Sequence, residues 1–582
     1  MKKYKKKRKI KKKIILLVIL LLICSFTYIM MNTNNFFSNT KINKFTMFLA
    51  SNTSEVVLYT YNEEEGTLEE SIKVVRGKKI TTTDKYLEYN EKKYYPITVE
   101  DTEYYVDEDN LTGNNKEVVK EKNMYVRTPT TILKDSNTGE ILSLADKGEQ
   151  LEISDYDKLD DKGNVITYQI KKDNDYGYVY GKYLVTTKEE SLKTYNEKYE
   201  EIYKNISNPY GGGDASKLDY YPKEQSNFEN NKMPESVYAL YLNCGSSTIN
   251  NIDTYIDFAR DTKINAFVVD IKDNESPAYP AKTFKTLSPT NYNYAINSYD
   301  SYKEAISKLK NAGFYVIGRI TTFKDSYYVK DNPDTAITSK YNGTPYLHNA
   351  SYWPSAYNRE VWYYNVSLAK EAVEEFGFNE INFDYVRFPD RMQSVENSVD
   401  LHNTYNEDKT QAIQRFVRYA TDELHKLNVY VSIDVFGETT NGTYTTAYGQ
   451  YWPAISNVAD VISGMPYPDH FSAGYYGISK PWNNPYLLMK TWASFAKDRQ
   501  QETPTPATAR TWIQAYDVMK YVDSNGINYG AKEIEQEVRG LYEGGLDGGY
   551  ITWLSNSNIE KYKIQKKAFQ IDYLKEYKQW KK

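Results

Sequence analysis

The chain has 582 residues, 40% of them hydrophobic and 15% aromatic, and carries a formal net charge of −5. That apolar content supports real cores and excludes wholesale disorder. The length suits roughly two to four domains, and so small a charge excludes a general nucleic-acid binder.

Residues 1–13, MKKYKKKRKIKKK, are a basic tail, and Ile14 to Met31 form an almost uninterrupted apolar run. Eighteen residues at about 1.5 Å each span roughly 27 Å, close to the hydrocarbon thickness of a bilayer. The pattern predicts a cytoplasmic tail and a single transmembrane helix over 14–31 in the cell membrane, with the body extracellular. No small-x-small cleavage site follows the run. Cys24 and Cys244 are the only cysteines, so no disulfide framework exists.

From 32 to 187, short runs rich in Tyr, Val, Ile and Thr are broken by Gly, Asn and Asp, which predicts β-strands. KYYPITVEDTEYYVDEDNLTG (93–113) and ITYQIKKDNDYGYVYGKYLVT (166–186) share a strand, a polar turn, a Tyr-Val pair and a following Leu. In its order of short strands, 122–187 resembles bacterial SH3-like modules, and 32–121 is read as a β-rich region with a weaker likeness. Such modules imply either a spacer or a binder of cell-wall glycan or peptide. Residues 188–233 contain PYGGGDASK and are expected to be a linker, because consecutive glycines do not hold regular structure cheaply.

Over 234–575 the pattern changes to strand–helix alternation. Candidate strands are VYALYLN (237–243), INAFVVDIKD (264–273), FYVIGRITTF (314–323) and EINFDYVRF (380–388). VYVSIDVFGE (429–438), ADVISGMPYP (459–468), RTWIQAYD (510–517) and GGYITWLSNS (548–557) follow. Nearly continuous apolar strands separated by helices such as NREVWYYNVSLAKEAVEEFG mark a parallel sheet covered on both faces. Eight such units predict an α/β fold of the (β/α)8 TIM-barrel type. A doubly wound sheet is disfavoured, since YLNCGSSTIN after the first strand is no G-x-G-x-x-G.

Barrel enzymes carry their sites at the C-terminal strand ends, and polar residues collect there. Asp270, Lys272 and Asp273 stand at the end of the second strand, Arg319 lies on the third, Asp384 and Arg387 on the fourth, and Asp434 and Glu438 on the fifth. Tyr467 and His470 follow the sixth, Tyr516 and Asp517 the seventh, and Trp553 the eighth. His348, His402, His425 and His470 are the only histidines and form no metal-binding pair, so no metal or cofactor is expected. No G-x-S-x-G nucleophile elbow occurs either. Carboxylates, arginines and aromatics remain, the groups that glycoside hydrolysis needs: one carboxylic acid to protonate the leaving oxygen and one carboxylate as nucleophile or base. Trp353, Tyr467, Tyr516 and Trp553 are candidate sugar platforms, with Trp353 in the polar loop HNASYWPSAYN expected to be the least core-like. INFD and VSID put Asp384 and Asp434 at equal heights roughly 5 Å apart, whereas Glu438 lies up to about 13 Å further along an extended strand. Arg387 or Arg319 is expected to hold Asp384 as a carboxylate.

AFVVDIKD, FYVIGRITTFKD, GFNEINFDYVRFP, VSIDVFGE and ISGMPYPDH resemble a family of TIM-barrel glycoside hydrolases of exported bacterial proteins, distantly α-amylase-like. The resemblance covers about 236–570. It implies a nucleophilic Asp384, an acid/base Glu438 and a further Asp517; strand register instead favours Asp434, which stays in reserve as the acid, and strand-end position makes Asp270, Arg319 and Arg387 candidate substrate-binding residues. The expected function is hydrolysis of a polysaccharide by two carboxylates. A barrel that only binds wall or capsule glycan, or one that transglycosylates, is the alternative.

Overall fold

A computed structural model describes residues 43–172 and 174–580. The basic tail and the apolar run 14–31 lie outside the described residues. The expected single-pass membrane localisation is corrected: among the described residues, no helix is long and apolar enough to cross a membrane. The longest described helix, Arg359–Phe376, has 18 residues but carries Arg359, Glu360, Lys370, Glu371, Glu374 and Glu375, charges too costly for a bilayer interior.

The chain divides into two compact units. The first comprises the described residues up to 122 together with 155–166. It is all-β: a five-stranded sheet and a three-stranded sheet, with antiparallel pairing, enclose a small core that includes Leu49, Val56, Leu58, Ile97 and Val106. A buried ion pair joins Arg76 to Glu121 at 2.7 Å.

The second unit holds 123–154 and everything from 167 onward. Its first part is a seven-stranded sheet running from Asn123–Val126 to Leu184–Val185. Its second part is a parallel barrel-like sheet. In chain order we label its segments β1 (Val237–Leu242), β2 (Ala266–Asp273), β3 (Tyr315–Thr321), β4 (Glu380–Asp384), β5 (Tyr430–Phe436), β6 (Val461–Met465), β7 (Thr508–Ala509), β8 (Thr511–Gln514) and β9 (Gly549–Trp553). They are hydrogen-bonded in the order β7-β6-β5-β4-β3-β2-β1-β9-β8. The two edge segments, β7 and β8, flank Arg510 in the chain, and Arg510 N–H donates to Ile462 O at 3.0 Å. The sheet is therefore a nearly closed barrel in which the seventh strand pairs with one neighbour by its first half and with the other by its second.

Successive strand residues face opposite sides, and the two cores divide accordingly. Val237, Ala239, Tyr241, Val268, Ile317, Trp512 and Ile551 belong to the small inner cluster. Leu240, Phe267, Val269, Ile320, Ile381, Phe383 and Ile433 belong to the large outer core, with helix residues such as Trp362, Phe416 and Trp492. Low in the interior, Arg510 pairs with Glu380 at 2.7 Å with both side chains fully buried, and Tyr315 donates to Glu380 at 3.0 Å.

Residues 188–233, expected as a linker, pack against the barrel. Thr410 N–H donates to Gly212 O at 3.0 Å, the Thr445 hydroxyl to Gly213 O at 2.8 Å, and Asp219 pairs with Arg418 at 2.7 Å. A Cβ at Gly212 would stand 1.9 Å from Thr446 O. The glycines admit close backbone approach here instead of a free hinge.

Candidate active site

The interior-facing parity brings Asp270, Arg319, Asp384 and Asp434 to the C-terminal end of the barrel. Asp270 and Arg319 are register partners between β2 and β3. Phe383 pairs with Ile433, so the next step sets Asp384 beside Asp434. Arg319, 2% exposed, is the centre of the cluster: Nη1 donates to Asp270 at 2.7 Å and Asp273 at 3.2 Å, and Nη2 to Asp384 at 2.7 Å. Burial opposes its charge, but the three carboxylates outweigh that cost.

The carboxyls differ in environment. Asp270 is fully buried, accepts from the Tyr241 hydroxyl, and is pushed up to about 7 by burial, which Arg319 partly offsets. Asp434 Oδ1 accepts from Asn382 Nδ2 and Trp512 Nε1, both at 2.8 Å, while Oδ2 has no hydrogen-bond partner. Burial first, and then the negative charge of Asp384, raise it well above the usual carboxylate range. Asp384 accepts from Tyr385 N–H at 2.6 Å. Tyr385 itself has φ of 53°, uncommon for a bulky residue. This turn stops β4 at Asp384, four residues short of the expected strand, and brings Arg387 back to the mouth.

A cavity of about 210 Å³ opens there. Asp273, Asp384, Arg319 and Arg387 line it with Tyr385, Phe436, Trp512 and Trp553. Tyr467 and His470 complete the wall from the loop after β6. Arg387 Nη1 donates to Phe388 O at 3.1 Å and Asp390 at 3.4 Å, so Arg319, not Arg387, is the partner of Asp384.

Four expected residues lie elsewhere. Trp353 is 2% exposed in a satellite core with Ile337, Met392 and Val399, so its ring is packing, not an open platform. Asp517 is half exposed, pairs with Lys561 and accepts from Tyr529 N–H at 2.7 Å, because the strand ends at Gln514 and the chain turns outward. Tyr516 donates to Asp469 at 2.7 Å behind Tyr467. Glu438 sits in the turn Gly437–Thr440 and accepts from the Tyr448 hydroxyl, a layer behind Phe436, whose ring packs 5.0 Å from that of Tyr448. Asn382, Tyr385 and Trp512 are the residues that strand-end reading leaves out, whereas Asp273 is among the polar residues it gathers at the end of the second strand. Asn382 and Trp512 carried a signal, being two residues from Asp384 and from Gln514 on strands of period two. Among the described residues, no His, Cys, Asp and Glu cluster has the makings of a metal site.

An α/β barrel with carboxylates gathered around one buried guanidinium at its C-terminal mouth has the form of a barrel enzyme. The chain belongs to the family DUF4015, described as "Putative glycosyl hydrolase domain", which matches residues 237–559. Solved structures of similar shape include a hypothetical protein from Ruminiclostridium thermocellum, at 31% identity over 34% of this chain and 97% of that one, TM-score 0.29. The PgaB (BpsB) glycoside hydrolase domain from Bordetella bronchiseptica aligns at 11% identity over 58% and 99%, TM-score 0.41. The spore cortex-lytic enzyme SleL from Bacillus cereus aligns at 13% over 59% and 76%, TM-score 0.34. No curated protein matches the sequence.

Proposed function

We propose that the protein hydrolyses glycosidic bonds of a polysaccharide, with Asp384 as the reacting carboxylate and Asp273 as the proton donor. The observation that carries this reading is that these two are the carboxylates lining the mouth cavity among the described residues, each on a different nitrogen of Arg319. Asp384, 11% exposed in its side chain and held at 2.7 Å, is the more fixed partner, suited to nucleophile or base. Asp273, 31% exposed and held at 3.2 Å, is freer to exchange a proton with the leaving oxygen. Burial and the charge of Asp384 both favour the protonated form of Asp434 behind it. Trp553 and Tyr467 offer ring faces for one sugar. The SH3-like reading of 122–187, as spacer or wall-glycan binder, belongs to the same proposal.

Aryl glycosides test the roles. Asp384→Asn removes turnover of every substrate, whereas Asp273→Asn spares substrates whose leaving group needs no protonation. If Glu438→Gln shows that second pattern and Asp273→Asn does not, the acid is Glu438. Glycan binding without turnover by the wild-type chain returns the barrel to a binding role.

A further inference from the structure

Two cations beside the reacting carboxylate have no role in the hydrolysis above. Arg387 lines the cavity and is 6% exposed, yet its described hydrogen bonds use only Nη1, and its one described carboxylate, Asp390, is a long 3.4 Å away and 38% exposed. Lys324, in the loop after β3, has no described hydrogen bond or ion pair. Its ammonium lies 5.1 Å from the Tyr385 ring centroid and 5.9 Å from that of Trp353. The Arg387 guanidinium lies over the same two rings, at 4.9 and 5.2 Å, and 4.4 Å from Phe436.

Two like charges thus share one pair of aromatic rings. Ring faces attract cations but do not neutralise them. Desolvation lowers the Lys324 pKa, and Arg387 lowers it further, against weaker support from Asp273, Glu275 and Asp384. A buried guanidinium and a partly buried ammonium held on the same rings and short of counter-charge are what an anionic group would complete.

We propose that Arg387 and Lys324 form an anion subsite next to Asp384, and that the glycan taken here carries a carboxylate on the sugar, as uronic acids do. The substrate class rests on the hydrolase reading; the subsite itself does not. A carboxylate presents two oxygens to the open edge of a guanidinium, with the ammonium as a second donor. Trp353, buried as it is, then acts as the floor that holds both cations in place.

Methyl glucuronide and methyl glucoside differ only in a carboxylate in place of a hydroxymethyl group, so they serve as probes on the full chain. Ligand-observed NMR is read for the wild type and for Asp384→Asn. The glucuronide should bind at least about tenfold more tightly than the glucoside. Arg387→Gln and Lys324→Gln should each remove most of that preference, and Arg387→Lys, which keeps the charge but not the fork, should retain part of it. Thermal melts check that each variant is folded. Equal binding of the two probes, no binding of the glucuronide, or a preference that survives both glutamine variants overturns the proposal. Glucuronide preference without turnover of any glycan leaves the subsite and removes the hydrolase. Turnover of neutral glycans without glucuronide preference does the reverse.

Discussion

Arg319 is buried with three carboxylates around it, and this decides what a change at Asp384 should cost. Breaking a lone buried pair costs about 3–5 kcal/mol because it strands a charge. In Asp384→Asn, Arg319 still has Asp270 at 2.7 Å and Asp273 at 3.2 Å, so the loss of stability should stay below that range while turnover falls by orders of magnitude. Melting and turnover measured on one sample check both halves; a full-sized stability loss, or retained activity, contradicts the catalytic role. Asp434 gives a pH prediction. Its folded-state pKa lies above the unfolded value of about 3.9, so between those values the native state binds more protons than the unfolded chain. Stability from this group is full below the unfolded value and is lost as pH rises toward the folded one. Asp434→Asn removes that titration, so the variant should gain in melting temperature relative to wild type as pH rises above about 4. A difference that does not change with pH would mean Asp434 is charged in the native state.

Element packing sets how the mouth is held open. On β6, Gly464 faces the outer core, where a Cβ would stand 2.5 Å from the Trp492 ring and 3.3 Å from Trp452. Trp492 is fully buried and donates to Gly437 O at 2.7 Å, thereby anchoring the turn that carries Glu438. Gly464→Ala should therefore push Trp492 off that carbonyl and destabilise the fold by about 1–3 kcal/mol, as overpacking does. Denaturant titration with tryptophan emission reads both the stability and the ring's displacement; an unchanged midpoint would show that the ring has room to yield. Helix Lys409–His425 is held by a capping box, Asp408 with Gln411, which fixes the face that Arg415, Arg418 and Glu423 present to their partners.

For the whole chain, that helix is where modularity fails. Arg415 pairs with Asp146 at 2.6 Å, Lys182 with Asp422 at 2.6 Å, Tyr180 donates to Glu423 at 2.7 Å, and Arg418 takes both Asp219 and Pro129 O. A chain beginning at Lys232 loses all of these partners at once. It should melt at least about 5 °C below the full chain, even though the barrel strands are all retained. Equal melting temperatures in thermal denaturation would restore the glycine-rich segment as a true linker.

The barrel strands are legible in the sequence because parallel strands buried on both faces must be apolar almost throughout, and their polar exceptions mark the inward ends. Asp270, Arg319, Asp384 and Asp434 follow from that rule and from a period of two. Strand bounds follow less well: β4 stops at Asp384 because Tyr385 takes a positive φ, and the seventh strand begins at Thr508, ahead of its apolar run. What tertiary structure alone decided is which polar groups meet. Asp517 and Glu438 sit at strand ends like the others, yet a turn of one or two residues sends the first to Lys561 and the second to Tyr448. Trp353 lies in a polar loop, yet it is core, because the loop folds over it. Local pattern reports whether a side chain is buried in a strand; it carries no information about where a loop returns, and loops set where Lys324 and Arg387 stand relative to Arg319 and Asp273.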